Sequence, residues 1–133
     1  MKLTRRSALR MALIGASATL FGTQAAAANQ QIIKLSKIKV GGTFSFQLKS
    51  GAPALLFRTK TGVFAYQTIC THEGAPAKYL APRKLIACAV HNASFDPFKG
   101  GKVVAGPNGQ SPNSISKLST VKVAVKSGWV VLL

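Results

Sequence analysis

The chain has 133 residues, 47% of them hydrophobic and 15% charged, which suits one small domain around a single core and excludes a wholly disordered polypeptide. Eighteen Lys and Arg oppose two acids, Glu73 and Asp96, giving a formal net charge of +16. A surface of that sign attracts nucleic acid, anionic lipid and acidic protein alike, so charge names a class of partner and nothing finer.

Residues 1–28 read as an export segment. Lys2, Arg5, Arg6 and Arg10 precede an uncharged run, Met11 to Phe21, and Ala25-Ala26-Ala27-Ala28 supplies the small residues that a signal peptidase needs. The stretch Thr4-Arg5-Arg6-Ser7-Ala8-Leu9-Arg10 is similar to a twin-arginine signal. Gly15, Ser17, Thr19 and Gly22 interrupt the apolar part, which falls short of the ~20 strongly apolar residues of a spanning helix. Cleavage is expected near Ala27 or Ala28; an uncleaved segment would tie the domain to the membrane. Removal takes four cations and no acid and lowers the net charge from +16 to +12, so residues 29–133 are themselves strongly basic.

Within residues 29–133, short alternating or apolar runs separated by turn residues predict strands. They are Gln31–Leu35, Thr43–Leu48 with Phe44, Phe46 and Leu48 on one face, Ala54–Arg58 and Val63–Ile69, then Lys84–Ala87, Lys102–Ala105, Val121–Val125 and Trp129–Leu132. Gly41-Gly42, Ser50-Gly51, Thr61-Gly62, Gly100-Gly101 and Ser127-Gly128 supply turns between them. Phe44, Phe46, Tyr66 and Trp129 are expected in the core. The stretch from Gly106 to Asn113 is expected to be a loop, and the whole an all-β antiparallel sandwich or small barrel.

Both cysteines and both histidines of the chain fall within residues 70–91, as Cys70-x-His72 and Cys88-x-x-His91 with fifteen residues between the two halves. Each half offers one thiol and one imidazole at tight spacing. Loops at 70–79 and 88–95 would bring the two halves to a common centre, and a metal is the natural occupant. A disulfide between Cys70 and Cys88 suits an exported protein but leaves both histidines without a role. A Cys–His nucleophile needs one of each rather than two copies. A structural zinc site usually pairs like ligands on each arm, whereas each arm here is mixed.

With these residues in view, the stretch resembles the Rieske [2Fe–2S] proteins, whose signature is Cys-x-His and Cys-x-x-His. The likeness extends to Glu73-Gly74-Ala75-Pro76 after the first pair, and to Ser94-Phe95-Asp96, Gly100 and Gly106-Pro107 after the second. It implies one [2Fe–2S] cluster in a subdomain of two loops, with Cys70 and Cys88 on one iron and His72 and His91 on the other. Thiolates favour ferric iron more than neutral imidazoles do, so an added electron is expected on the histidine-bound iron. The range for Rieske centres as a class runs from about −150 to +300 mV. Each histidine also keeps a second ring nitrogen free to take a proton and face a partner.

The resemblance also shows departures. High-potential respiratory members carry a further cysteine in each loop, joined as a disulfide, where this chain has Ala75 and Val90. The same members place a serine and a tyrosine, hydroxyl donors to sulfur, where this chain has Ala93 and Phe95. Ser94 is expected to point elsewhere by alternation. Loss of hydrogen bonds to sulfur favours the oxidised state, so a potential in the lower half of the range is expected. Asn92 stands where the family usually has glycine, and Asn tolerates positive φ best among the other residues.

The expected function is one-electron transfer, either as an exported carrier or as the iron–sulfur subunit of a redox complex such as a quinol–cytochrome c reductase or an arsenite-oxidase-like assembly. The expected partner is a redox protein with an acidic surface, such as a cytochrome or a membrane-bound oxidoreductase, with no nucleic acid. A ring-hydroxylating oxygenase is set aside for want of a second, mononuclear-iron domain. The rival reading is a basic exported binding module stapled by structural zinc or a disulfide.

Overall fold

The computed structural model describes residues 29–133; the expected export segment, 1–28, lies outside them. Eleven strands follow in chain order: β1 Gln31–Lys34, β2 Thr43–Gln47, β3 Pro53–Arg58, β4 Val63–Gln67, β5 Ala77–Leu80, β6 Leu85–Cys88, β7 Ser94–Asp96, β8 Lys102–Ala105, β9 Thr120–Val121, β10 Val123–Lys126 and β11 Trp129–Leu132. Among the described residues the helical pieces are all short 3-10 turns, and no helix is long and apolar enough to cross a membrane. The strands form three antiparallel sheets, ordered β1-β11-β10, β2-β3-β4-β9 and β5-β6-β7-β8. The all-β antiparallel expectation is met.

The second sheet is the wall between two cores. Ala54, Leu55, Leu56 and Phe57 are all buried, although strict alternation would bury only half of them, because β3 is covered on both faces. Ala54 and Leu56, with Ala65 of β4 and Val121 of β9, pack against Ile38 and Val130 of the first sheet's side, with Phe44 and Phe46 at the margin. Leu55, Phe57 and Tyr66 face the other way, onto Ala77, Ile86, Cys88, Phe95 and Val103 of the third sheet. Burial of each large apolar side chain stabilises the fold by roughly 1.5–3 kcal/mol.

Tyr66 fixes the junction. Its hydroxyl donates to the Pro97 carbonyl at 3.0 Å, and Gly101, at φ +73°, lies so close to the ring that an added Cβ would stand 2.9 Å from Tyr66 Cε1. The third sheet is thereby clamped onto the second, which gives the two loops at its end a rigid base.

Several boundaries differ from the sequence pattern. β5 and β7 fall where loops are expected; both are short and become strands only by pairing with β6, which does lie where the strand Lys84–Ala87 is expected. The expected strand Val121–Val125 is split at Lys122, where the chain leaves β4 as partner and joins β11. Gly41-Gly42 leads into β2 from a 3-10 turn rather than joining two strands. Trp129 is only partly buried; its ring lies under the Lys34 ammonium, 5.3 Å from the centroid, as the register pairing of the two residues requires.

Candidate cluster-binding site

Three loops meet at one end of the third sheet. The first, between β4 and β5, is closed at its base by the Ile69–Pro76 bridge. Within it the Cys70 N–H donates to Ala75 O at 2.8 Å and the Gly74 N–H to Cys70 O at 2.9 Å. The second, between β6 and β7, repeats the first bond: the Cys88 N–H donates to Ala93 O at 2.9 Å. In each loop a cysteine amide thus reaches the carbonyl five residues on, and the tight return needs one left-handed residue. Gly74 supplies it at φ +73° and Asn92 at φ +60°, so the turn expected to survive the replacement of glycine by Asn92 does so.

The third loop, from Gly106 to Ser114, is ordered around 3-10 turns at Pro107–Gly109 and Pro112–Ser114. Its Asn108 N–H donates to His91 O at 2.6 Å. A few residues later Ser116 O accepts from Thr71 Oγ1 at 2.5 Å. One segment therefore fastens both of the other loops from the same side.

All four expected ligand residues are brought into this arrangement. Cys70 and Cys88 are buried, at 2% and 1% exposure, in one core cluster. Both are free thiols, so the disulfide staple considered in the rival reading is not formed. His72 and His91 stand outward of them, each with 27% of its side chain exposed. Their Nδ1 atoms are 3.2 Å apart and the rings are nearly perpendicular, at 79°. Two nitrogens at that separation, each about 2.1 Å from a metal, subtend roughly 100° at it, close to tetrahedral. Two sulfurs inside and two convergent nitrogens at the rim fit a [2Fe–2S] cluster with unlike irons.

The electrostatics have two sources. Burial pushes the Cys70 thiol above its ordinary range, and Cys88 adds to the effect, while the backbone N–H groups of His72 and Glu73 oppose it by pointing at the sulfur. Those amides are preorganised donors for a thiolate once a metal takes the proton's place. Glu73 is the second source. Its carboxylate oxygens lie 3.8 Å from His72 Nε2 and 3.8 Å from His91 Nδ1, and the three side chains group within 4.8 Å. Sequence reasoning gave Glu73 no role; the available signal was that one of only two acids in the chain follows directly on a ligand candidate.

The departures also have places. Val90 is exposed at the tip of the second loop and Ala75 packs against the core edge. Ala93 and Phe95 are fully buried, with Phe95 opposite Ile86 on the inward face. Ser94 pairs with Ala87 on the outward face, turned away as alternation requires.

Known proteins share this fold. The family model of the Rieske [2Fe-2S] domain matches residues 28–124. The Rieske iron-sulfur subunit of the cytochrome bc1 complex from Streptomyces lividans is 37% identical over 51 residues, 38% of this chain and 30% of that protein's length. Among solved structures, the plasma membrane Rieske protein PetC3 of Synechocystis PCC 6803 superposes with a TM-score of 0.62 at 20% identity, over 77% of this chain and 97% of that one. The ferredoxin of carbazole 1,9a-dioxygenase from Nocardioides aromaticivorans IC177 gives a TM-score of 0.57 at 20% identity, over 78% and 95%. The fold, the paired cysteine and histidine loops and the match over most of its length make this chain a member of the Rieske [2Fe-2S] domain family, with the [2Fe–2S] cluster as cofactor and electron transfer as its chemistry.

Proposed function

We propose that the domain is exported and carries single electrons to or from an acidic redox partner, with Cys70 and Cys88 as ligands of one iron and His72 and His91 as ligands of the other. The observation that carries the reading is the 3.2 Å approach of the two Nδ1 atoms directly outward of two buried cysteines. A [2Fe–2S] cluster supplies a one-electron couple. The chain's part is to hold the sulfur side dry and leave the imidazole edges at the surface, where a partner can approach within tunnelling reach. Burial of Cys70 and Cys88 keeps water and chelators from the sulfur side, and the amides of His72 and Glu73 offset the thiolate charge at Cys70.

Export is supported by the twin-arginine-like start and the alanine run before residue 29; a pathway that moves folded proteins suits a cofactor assembled in the cytoplasm. An acidic partner is supported by the +12 charge of residues 29–133. The buried, hydroxyl-free Ala93 and Phe95 support a low potential and a ferredoxin-like rather than quinol-oxidising role. Whether alone or as a subunit, the domain passes electrons through the same histidine edge.

Protein purified from iron-replete cells is expected to be reddish-brown, with two irons and two labile sulfides per chain. A colourless protein with one zinc per chain would support the basic binding module instead. Amino-terminal sequencing of the exported protein, starting near residue 28 or 29, tests the export reading separately.

A further inference from the structure

The outward face of the third sheet is not flat. Lys78 and Leu80 of β5, Leu85 and Ala87 of β6 and Ala105 of β8 line a groove of about 560 Å³, with Arg83 at its mouth. The register explains it: Lys78 stands opposite Ala87, Leu80 opposite Leu85 and Ser94 opposite Ala105, so small and aliphatic side chains fall together on one face. Cys88, Ala89 and Asn92 form its end wall, which places the groove directly against the second cluster loop. The inward face of the same sheet forms the core, and the groove meets the four expected ligand residues at Cys88 alone.

Its chemistry is one-sided. No acid lines it, and neither Lys78 nor Arg83 makes an ion pair among the described residues. The two acids of the chain are used elsewhere, Glu73 beside the histidines and Asp96 accepting from the Phe98 N–H and pairing with Lys99. Two unpaired cations at the rim of an aliphatic floor match an extended segment that offers carboxylates around apolar side chains. A second copy of the chain is a poor occupant, because it brings a charge of the same sign. Residues 1–28 are no better, since they carry four cations and no acid.

We propose that this groove docks an acidic, leucine-bearing segment of the electron-transfer partner, a lateral contact that sets the partner's orientation beside the histidine edge. The partner's redox role rests on the electron-carrier reading above; the binding does not. The contact lies on the cysteine side of the second loop, so it orients the partner without covering His72 or His91.

The test uses cluster-loaded protein and a capped hexapeptide, Asp-Asp-Leu-Leu-Asp-Asp, with binding followed by calorimetry at low salt. The double variant Lys78→Glu with Arg83→Glu is expected to weaken binding at least tenfold. The double variant Lys49→Glu with Lys60→Glu makes the same charge change in two exposed turns of the second sheet and is expected to weaken it less than twofold. Replacing the peptide's leucines by serine, or its aspartates by asparagine, is expected to abolish binding. Equal loss in both double variants, undiminished binding of the serine peptide, occupancy by anionic vesicles in preference to the peptide, or self-association through the groove would each overturn the proposal. The visible spectrum of each sample reports cluster content independently, so failure of the electron-carrier reading is distinguishable from failure of the docking surface.

Discussion

The backbone N–H of Asn108 donates to the carbonyl of His91 at 2.6 Å, so a loop that supplies none of the four expected ligand residues braces the second cysteine–histidine loop. Gly106 makes that approach available. A Cβ at this position would stand 2.5 Å from Ser111 O and 2.7 Å from both Gln110 O and Ser114 Oγ, so the loop has to shift to admit it. Gly106→Ala is therefore expected to loosen the His91 loop at a cost of about 1 kcal/mol or more. The check is the rate of bleaching under an iron chelator, expected to rise roughly fivefold to tenfold; an unchanged rate would mean that the third loop does not support the cluster.

Glu73 places a negative charge beside both imidazoles, where an added electron is disfavoured. Glu73→Gln is expected to raise the midpoint potential by on the order of tens of millivolts, since a charge a few ångströms away in a partly solvated site is worth about 1 kcal/mol. Voltammetry at low and high ionic strength checks this, with a smaller rise at high salt. A fall in potential would contradict the assignment.

Ala93, at the end of the second loop, and Phe95, in β7, are fully buried. Ala93→Ser combined with Phe95→Tyr is expected to restore hydroxyl donors toward sulfur and raise the potential. Each hydrogen bond that strengthens by about 1.4 kcal/mol on reduction contributes ~59 mV for one electron. No shift in the double variant, with the cluster content intact, would show that these side chains do not reach the sulfurs.

The metal-free protein is expected to lose stability at alkaline pH. Burial, and then Cys88, raise the Cys70 thiol above its ordinary value of 9.0; burial, and then the Asp96 carboxylate, raise the Tyr66 hydroxyl above 10.0. Both groups hold their protons more tightly when folded than when unfolded. Their stabilisation is complete below the unfolded values and is lost as pH rises through the folded ones. Urea midpoints of the metal-free protein at high salt are expected to fall between about pH 8 and pH 10.5, and Cys70→Ala with Tyr66→Phe is expected to flatten the fall. A midpoint that climbs over this interval would contradict the sign.

Much of the architecture was legible because the base strands carry their own pattern. The alternation of Phe44, Phe46 and Leu48 and the glycine-marked turns around β3 and β4 need no distant partner to be read. The four proposed ligand residues stood out in the sequence for another reason, because two mixed pairs at tight spacing have few chemical uses. β5 and β7 were not, since three or four residues become a strand only when β6 lies alongside. The role of Asn108 was equally hidden: its bond to His91 joins residues that only the fold brings together. Glu73 was visible as a rare acid, but its equal distance from two rings is a property of the folded loops.

In the proposed site two irons are held unequally, by Cys70 and Cys88 on one side and by His72 and His91 on the other. Pulsed electron paramagnetic resonance of the dithionite-reduced protein, with its histidines labelled with nitrogen-15, measures this directly. Two strongly coupled imidazole nitrogens are expected on the reduced iron, with one lost in each of His72→Cys and His91→Cys. A signal without nitrogen coupling, or no paramagnetic iron–sulfur signal in protein that contains its full iron and sulfide, would contradict it.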